Sequence, residues 1–102
     1  MEVGKFMLVL ITYDVNTQTK AGRTRLRKVA KQCVNYGQRV QNSVVECSVD
    51  NAKLIEIQHI LEGLIDKEVD SLRFYILGNK YKNKVIHIGA RPSFDVNDPL
   101  II

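Results

Sequence analysis

A continuous apolar run at residues 7–13, Met-Leu-Val-Leu-Ile-Thr-Tyr, ends abruptly at Asp14. Because β-branched and aromatic side chains dominate this run and no polar residue alternates through it, it predicts a strand buried on both faces. Residues 16–19, Asn-Thr-Gln-Thr, then favour a loop. A chain of 102 residues fits one domain, so the rest of the sequence must supply the elements that cover this strand.

The segment 20–36 has the period of an amphipathic helix. At about 100° per residue its apolar side chains fall on one stripe, formed by Leu26, Val29, Ala30, Cys33 and Tyr36. Basic side chains line the opposite side at spacings of four, namely Arg23, Arg27 and Lys31, with Lys20 beside them. Gly37 follows where a glycine commonly ends a helix. The sequence therefore predicts a helix with one core face and one basic outer face.

A second helix and further strands follow. Residues 40–49 are rich in β-branched residues and predict a strand, but they hold too many polar side chains for a dry central one, so we expect a bend into two strands or a long hairpin. Asp50 or Asn51 can cap a helix whose core spacing is kept by Leu54, Ile57, Leu61, Leu64 and Ile65. Residues 71–77 and 84–88 predict strands that end at glycines.

This order predicts an α+β, ferredoxin-like βαββαβ domain with an extra C-terminal strand. We expect the domain to cover residues 7–89, preceded by a disordered or extraneous leader at 1–6. A free edge strand invites pairing with another chain. We therefore expect a homodimer, in which the tail at 90–102 pairs with the partner subunit.

Charge is arranged in blocks along the chain, although the net charge is only +4. Between Val15 and Val45 there is no acidic residue, residues 46–70 are mostly acidic, and residues 71–91 are basic again. If the fold joins the two basic blocks, they form a surface that holds a polyanion; otherwise they are ordinary solvated faces. No apolar run is long enough to span a membrane and no secretory leader is present, so we expect a cytoplasmic protein without membrane contact.

Asp14 is the sharpest candidate for chemistry, because it is the only acidic residue between Lys5 and Glu46 and it ends the most buried strand. A carboxylate beside many cations suits Mg²⁺, which typically takes one or two carboxylates plus waters and phosphate oxygens. One Asp per chain is too few ligands, and a two-fold dimer would supply a second. The alternative is that Asp14 starts a turn through its side chain, as Asp often does.

Other chemistry-bearing residues are weaker candidates. His59 and His87 have no carboxylate or cysteine at ligand spacing, and Cys33 and Cys47 have no nearby His, so we expect neither metal binding nor thiol catalysis from them. No phosphate-binding glycine loop occurs. The aromatic residues fit the core better than a base-stacking platform, and any nucleic-acid contact should be mostly to phosphates.

The residues Tyr13-Asp14-Val15, then Arg25-Leu-Arg-Lys-Val at 25–29, Tyr36-Gly37, and Val-Gln-Asn-Ser-Val-Val-Glu at 40–46 together resemble the CRISPR-associated protein 2 family. The resemblance covers nearly the whole chain from Met7. The ending at 97–102, Asn-Asp-Pro-Leu-Ile-Ile, is similar to that of subtype I-C members.

The resemblance implies a ferredoxin-like homodimer in which the C-terminal strand of one subunit adds to the sheet of the other. It implies that Asp14 is the metal-binding and catalytic aspartate of an endonuclease dependent on Mg²⁺, or on another divalent cation such as Mn²⁺. The substrates it implies are double-stranded DNA, single-stranded RNA or both. The resemblance places Arg23, Arg25, Arg27 and Lys31 near nucleic acid and matches Ser43 to a serine of the family. From the same basic block we add Lys28 and Arg39 to the expected nucleic-acid-binding residues, and we expect Tyr13 and Ser43 to be adjacent to the site.

A second role implied by the resemblance is that of a dimeric DNA-binding scaffold for the CRISPR-associated integrase of the protein 1 family during spacer acquisition. Because each chain offers a single carboxylate and no general base close to it in sequence, we expect the scaffold to be the main role and cleavage a secondary one. A remoter alternative is a toxin-type ribonuclease of the virulence-associated protein D kind, which shares the fold.

Overall fold

The first strand, β1 (Met7–Asp14), lies at the centre of a five-stranded antiparallel sheet in the computed structural model, which describes residues 6–79 and 82–90. The remaining elements are α1 (Lys20–Tyr36), β2 (Gln38–Gln41), β3 (Val44–Val49), α2 (Asn51–Glu62), β4 (Ser71–Asn79) and β5 (Lys82–Gly89). The strand order is β2-β3-β1-β4-β5. The first four strands have the ferredoxin-like arrangement, so the predicted α+β fold with an extra C-terminal strand is confirmed.

The segment predicted as one strand at 40–49 is a hairpin. β2 begins two residues earlier, at Gln38, and the chain turns through Asn42 and Ser43 before β3. All four residues of β2 are exposed, which accounts for their polar character. The expected bend therefore occurs where the polar residues concentrate.

Side-chain caps fix where both helices begin. Thr19 accepts a hydrogen bond from the Gly22 N–H at 3.0 Å, and Asp50 accepts one from the Lys53 N–H at 2.8 Å. The predicted start of α1 at Lys20 and the predicted cap of α2 are confirmed. α2 ends at Glu62, earlier than the apolar pattern indicated, but Leu64 and Ile65 still pack against the core.

The core lies between the sheet and the two helices, which cover a single face. Val9, Ile11 and Tyr13 project from β1 into this core. The other strands and the helices contribute Val45, Cys47, Val49, Leu72, Phe74, Ile76, Val29, Cys33, Leu54, Ile57 and Leu61. The helix stripes predicted from sequence are therefore the faces that pack on the sheet.

Neither helix of the described residues covers the opposite face of the sheet. Leu8, which points to that face, is 39% exposed, whereas Leu10 beside it is only 8% exposed. The prediction that β1 is buried on both faces therefore holds only in part: on the face away from the described helices Leu10 is buried, whereas Leu8 is exposed. An apolar strand with one uncovered face favours a further partner on that face.

β5 pairs with β4 of the same chain, with His87 opposite Arg73 and Gly89 opposite Ser71. The predicted leader at 1–6 and the predicted tail at 90–102 lie outside the described residues except for Phe6 and Ala90. In the described part of the chain, no helix is long and apolar enough to cross a membrane.

Candidate functional site

A cleft opens where β1 ends and β4 begins. Antiparallel pairing sets Asp14 opposite Ser71 and Thr12 opposite Arg73, so these side chains share the uncovered face of the sheet. The cleft has a volume of about 320 Å³ and is lined by Thr12, Tyr13, Asp14, Ser43, Val44, Val69, Ser71, Arg73, Tyr75 and Ala90. It therefore combines a carboxylate, a guanidinium and several hydroxyls.

The Asp14 side chain is exposed in this cleft. Within residues 6–79 and 82–90 no hydrogen bond or ion pair engages its carboxylate. The loop behind it is instead folded by Asn16, whose Oδ1 accepts a hydrogen bond from the Gln18 N–H at 2.9 Å. The side chain that forms the turn after β1 is thus that of Asn16 and not that of Asp14. The Asp14 carboxylate stays accessible to a ligand.

Asp70, immediately before β4, fixes the loop that follows Asp14. Its side chain is fully buried and accepts hydrogen bonds from the backbone N–H groups of Asn16 and Asp66, both at 2.9 Å. The Arg25 guanidinium donates from Nε at 2.7 Å and from Nη2 at 3.3 Å. Burial raises the pKa of Asp70, but these hydrogen bonds and the Arg25 charge lower it by more, so the net pKa lies below the ordinary value.

Arg25 therefore faces inward, unlike its neighbours in the predicted nucleic-acid set. Its side chain is only 21% exposed, and its hydrogen bond to Asp70 raises the pKa of the guanidinium further. The other predicted cations on α1 are exposed: Arg23, Arg27, Lys28 and Lys31. Arg39 is also exposed, but it lies on β2. The basic outer face of α1 is thus exposed to solvent as predicted, but Arg25 contributes little to it.

The sequence did not single out a polar cluster that lies beside Asp14. Arg73 is buried and donates from Nε (3.4 Å) and Nη2 (3.2 Å) to Nδ1 of His87, and from Nη1 to the Tyr75 hydroxyl at 3.2 Å. His87 Nε2 lies 2.6 Å from the Ala90 carbonyl. Since a carbonyl only accepts, Nε2 carries the proton and Nδ1 is the acceptor. In this arrangement His87 accepts from Arg73 and orients its guanidinium.

Tyr13 and Ser43, predicted to be adjacent to the site, meet at its rim. The Tyr13 N–H donates to the Ser43 carbonyl at 3.1 Å. The Tyr13 ring points into the core, and burial raises the pKa of its hydroxyl. Ser43 has φ of 66°, which is uncommon for a residue other than glycine. The hairpin turn therefore places a residue with a strained backbone, Ser43, in the lining of the cleft. Backbone strain of this kind is often found at functional sites.

Metal and thiol chemistry can also be judged from the geometry. In the described residues no group of three or more His, Cys, Asp or Glu side chains could hold a metal ion. Asp14 of one chain is therefore a single ligand. Cys33 and Cys47 are buried, and burial raises the pKa of Cys33 to about 12, so neither thiol is suited to nucleophilic attack.

A family model and individual relatives of known name all point to the same protein family. The family model described as CRISPR associated protein Cas2 matches residues 7–85. A CRISPR-associated endonuclease Cas2 from Halalkalibacterium halodurans is 65% identical over 95 residues, covering 93% of this chain and 99% of the relative. A CRISPR-associated endoribonuclease Cas2 from Nitratidesulfovibrio vulgaris is 53% identical over 96 residues, covering 94% of each chain.

Solved structures agree with these relatives. The crystal structure of Streptococcus pyogenes Cas2 at pH 6.5 superposes with a TM-score of 0.66 at 63% identity, covering 74% of this chain and 90% of the other. A further crystal structure, of a protein described as cas2, gives a TM-score of 0.62 at 33% identity, covering 96% of this chain and 100% of the other.

Proposed function

This chain belongs to the CRISPR-associated protein Cas2 family, and on that premise we propose that it is a metal-dependent endonuclease that hydrolyses phosphodiester bonds of nucleic acid. The observation that carries the proposal is the exposed Asp14 carboxylate, which in the described part of the chain makes no structural hydrogen bond. Relatives named endonuclease and endoribonuclease support nuclease chemistry for the chain. The family membership also disfavours the toxin-type ribonuclease.

Mg²⁺, or another divalent cation such as Mn²⁺, fits this carboxylate. Mg²⁺ keeps several waters and uses one or two carboxylates together with phosphate oxygens, so a shallow, exposed site suits it. Asp14 would hold the cation, and the hydroxyls of Ser43 and Ser71 line the same cleft. When bound, the cation supplies an acidified water for attack at phosphorus and offsets charge on the phosphate.

A second copy of the chain completes the proposed site. The uncovered face of the sheet carries Leu8 and Val85, which are 39% and 37% exposed, and an uncovered apolar face favours self-association. A two-fold axis that passes close to Asp14 on this face would bring its two copies together, because in an isologous contact the residues next to the axis meet their own copies. The tail at 90–102 is proposed to add to the partner's sheet, and it would thereby cover a free edge.

The proposed substrates are double-stranded DNA, single-stranded RNA or both. Contacts to phosphates rather than bases would hold either one, since the chain has no base-reading motif. The ending at 97–102 supports the narrower proposal of a subtype I-C member.

Metal removal is the direct test of the proposal. Purified protein incubated with labelled duplex DNA and, separately, with single-stranded RNA is expected to cleave at least one of them in Mg²⁺. Excess EDTA should abolish that cleavage and added Mg²⁺ should restore it, because Asp14 alone cannot activate water. Cleavage that continues unchanged in EDTA would contradict a metal-dependent site.

A second function, that of a DNA-binding scaffold for the CRISPR-associated integrase, is favoured by the outer face of α1. Its exposed cations are Lys20, Arg23, Arg27, Lys28 and Lys31. Spaced along a helix of 17 residues, they match a polyanion rather than a small ligand. In the dimer two such faces would clamp duplex DNA while the integrase performs the strand transfer.

Changing Arg23, Arg27 and Lys31 together to alanine tests the scaffold. Duplex affinity is expected to fall about 10-fold to 100-fold at low salt, and the slope of log K against log salt to flatten by roughly 3 per helix engaged. The matched control is Lys53→Ala with Lys67→Ala, which removes cations near α2 instead. Unchanged affinity and salt slope in the triple variant would exclude α1 as the clamp without bearing on cleavage.

A further inference from the structure

We propose that Asp70 and Gly22 are positioning residues for Asp14: they hold the loop at residues 15–19 and thereby keep the Asp14 carboxylate in the place where it binds the divalent cation. Neither residue lines the cleft, so both act through the backbone that carries Asp14. This role rests on the proposed function for the identity of the ligand, and it assigns the position of the carboxylate to contacts outside the cleft.

Two backbone contacts flank Asp14. On one side it is paired with Ser71 in the register of β1 and β4, and Ser71 directly follows Asp70 in the chain. On the other side, two residues further along, the Asn16 N–H donates to Asp70 Oδ1 at 2.9 Å. Val15, which lies between them, is buried. The backbone that carries the Asp14 side chain is therefore held at the strand and again just after it, by Asp70 and its neighbour.

Asp70 is suited to this role because its own carboxylate is fixed. It is buried, and besides the loop at 15–19 it accepts from the Asp66 N–H at 2.9 Å and from Arg25 Nε at 2.7 Å. Its backbone carbonyl accepts from the N–H of Ala90, which lines the cleft, at 2.8 Å. A buried polar network whose groups are all paired is rigid. The loop is thus tied at one point to α1, to the start of β4 and to the end of β5.

Gly22 holds the loop from the side of α1. It is buried in the first turn of the helix, and a Cβ at this position would collide with the Asn16 carbonyl oxygen. Its N–H donates to the Thr19 hydroxyl at 3.0 Å, so Gly22 cannot move away without loss of the helix cap. Only a residue without a side chain lets the helix approach the Asn16 backbone so closely. The loop is therefore enclosed between Gly22 and Asp70.

A small displacement of Asp14 matters because a metal ligand must meet its cation with defined geometry. A displacement of about 1 Å can lower a rate about 100-fold even when its cause lies far from the reacting atoms. Groups that orient a metal ligand typically contribute about 10-fold to 100-fold to metal affinity or activity. In the described part of the chain no cluster of three or more His, Cys, Asp or Glu side chains could take over from Asp14.

Gly22→Ala is the first test, because it displaces the loop without removing a charge or a hydrogen-bonding group. Mn²⁺ affinity is measured from the electron paramagnetic resonance of the free ion, and Asp14→Asn gives the affinity that remains without the ligand. We expect the affinity in Gly22→Ala to fall about 10-fold and kcat/KM for cleavage to fall about 10-fold to 100-fold. Duplex affinity should stay at the native value, because the exposed cations of α1 are unchanged.

The matched control is Gly63→Ala. Gly63 has helical backbone angles, with φ of −73°, and a Cβ there would lie 3.6 Å from the nearest backbone oxygens, which is an ordinary contact. This variant is expected to keep the native Mn²⁺ affinity and rate. A folded Gly22→Ala variant with native Mn²⁺ affinity and native kcat/KM overturns the role of Gly22.

Asp70→Asn tests the other side of the loop and does not depend on whether Gly22→Ala folds. It keeps the size of the side chain but offers one acceptor oxygen in place of two. Measurements are made at a temperature where circular dichroism shows the variant folded. We expect hydrogen exchange at the Asn16 amide to accelerate at least about 10-fold, and Mn²⁺ affinity to fall about 10-fold. Faster Asn16 exchange with native Mn²⁺ affinity would make Asp70 a structural residue only and overturn its positioning role.

The Mn²⁺ measurements also separate this role from the proposed function. If the native protein binds Mn²⁺ but cleaves no nucleic acid, the proposed function falls, and the affinities of the two variants still decide whether the loop positions Asp14. A native protein that neither cleaves nor binds Mn²⁺ overturns both.

Discussion

Replacing Asp70 by alanine is expected to lower the free energy of unfolding by about 3 kcal/mol, because it leaves the Arg25 charge and two backbone N–H groups without their acceptor. In a domain of this size such a loss lowers the melting temperature by roughly 15 °C. Thermal unfolding followed by circular dichroism measures it. The control is Glu68→Ala, which removes an exposed carboxylate from the same loop and should leave the melting temperature nearly unchanged.

The same contact predicts a pH dependence with a definite sign. The folded-state pKa of Asp70 lies below its ordinary value, because the hydrogen bonds and the charge of Arg25 outweigh the effect of burial. Asp70 therefore contributes stability above its unfolded pKa of about 3.9, and this contribution is lost as the pH falls through the lower folded pKa. The stability gap between the native protein and Asp70→Asn should be constant near neutral pH and narrow below about pH 4. If Asp70→Asn is as stable as the native protein at neutral pH, the ionised Asp70 carboxylate does not stabilise the fold.

The fold followed closely from the sequence because each element had a local signal. The apolar run ending at Asp14, the basic and apolar stripes of α1 and the polar residues around Ser43 each depend on neighbours in sequence alone. The main error in the predicted fold concerned β1, and it arose because the prediction considered only the residues of that strand. The composition of β1 suggested two covered faces, but the two helices of the described residues cover only one of them, and Leu8 on the other face is exposed.

The site was only partly predictable. Asp14 stood out because no other acid surrounds it in sequence, whereas Asp70 and Arg73 counted merely as members of an acidic and a basic block. Their roles arise from strand pairing over more than fifty residues, as the Asn16 N–H bond to Asp70 shows. One signal was available: in the ferredoxin-like order β4 lies antiparallel beside β1, so the start of β4 must meet the end of β1. Applying that rule would have directed attention to residues 70–73.

Arg25 illustrates the opposite problem. By sequence it belongs to a run of cations and looks equivalent to Arg23 and Arg27. In the structure it turns inward to a buried carboxylate, so its function is to tie α1 to the loop behind Asp14. Residue type and spacing predict a basic helix, but only the packing of that helix decides which cations face a ligand.

Replacing Asp14 by asparagine is expected to lower the rate of metal-dependent cleavage by at least about 1,000-fold, equivalent to roughly 4 kcal/mol of transition-state stabilisation. Asparagine keeps the size of the side chain but removes the charge that holds the cation. The melting temperature should not change, because the carboxylate is exposed and makes no hydrogen bond within the described residues. Duplex affinity should also be retained, since the basic face of α1 is untouched.

The matched control is Glu56→Gln, which neutralises an exposed carboxylate on α2 and should leave cleavage unchanged. Single-turnover cleavage rates and duplex binding are measured on the same preparations, so that the nuclease and the scaffold are separated. If Asp14→Asn cleaves at the native rate, the cleft is not the active site. If the native protein binds duplex but neither form cleaves, the scaffold is the function that survives.

Mixed dimers extend this prediction to the number of carboxylates in the site. When native and Asp14→Asn chains are co-expressed in equal amounts, random pairing leaves roughly one quarter of the dimers with two native subunits. A cation shared between both copies of Asp14 predicts that only this quarter cleaves. Independent sites predict about half of the native activity, because every native subunit then works alone. Half activity would contradict the shared site, although Asp14 would still be the catalytic carboxylate of each subunit.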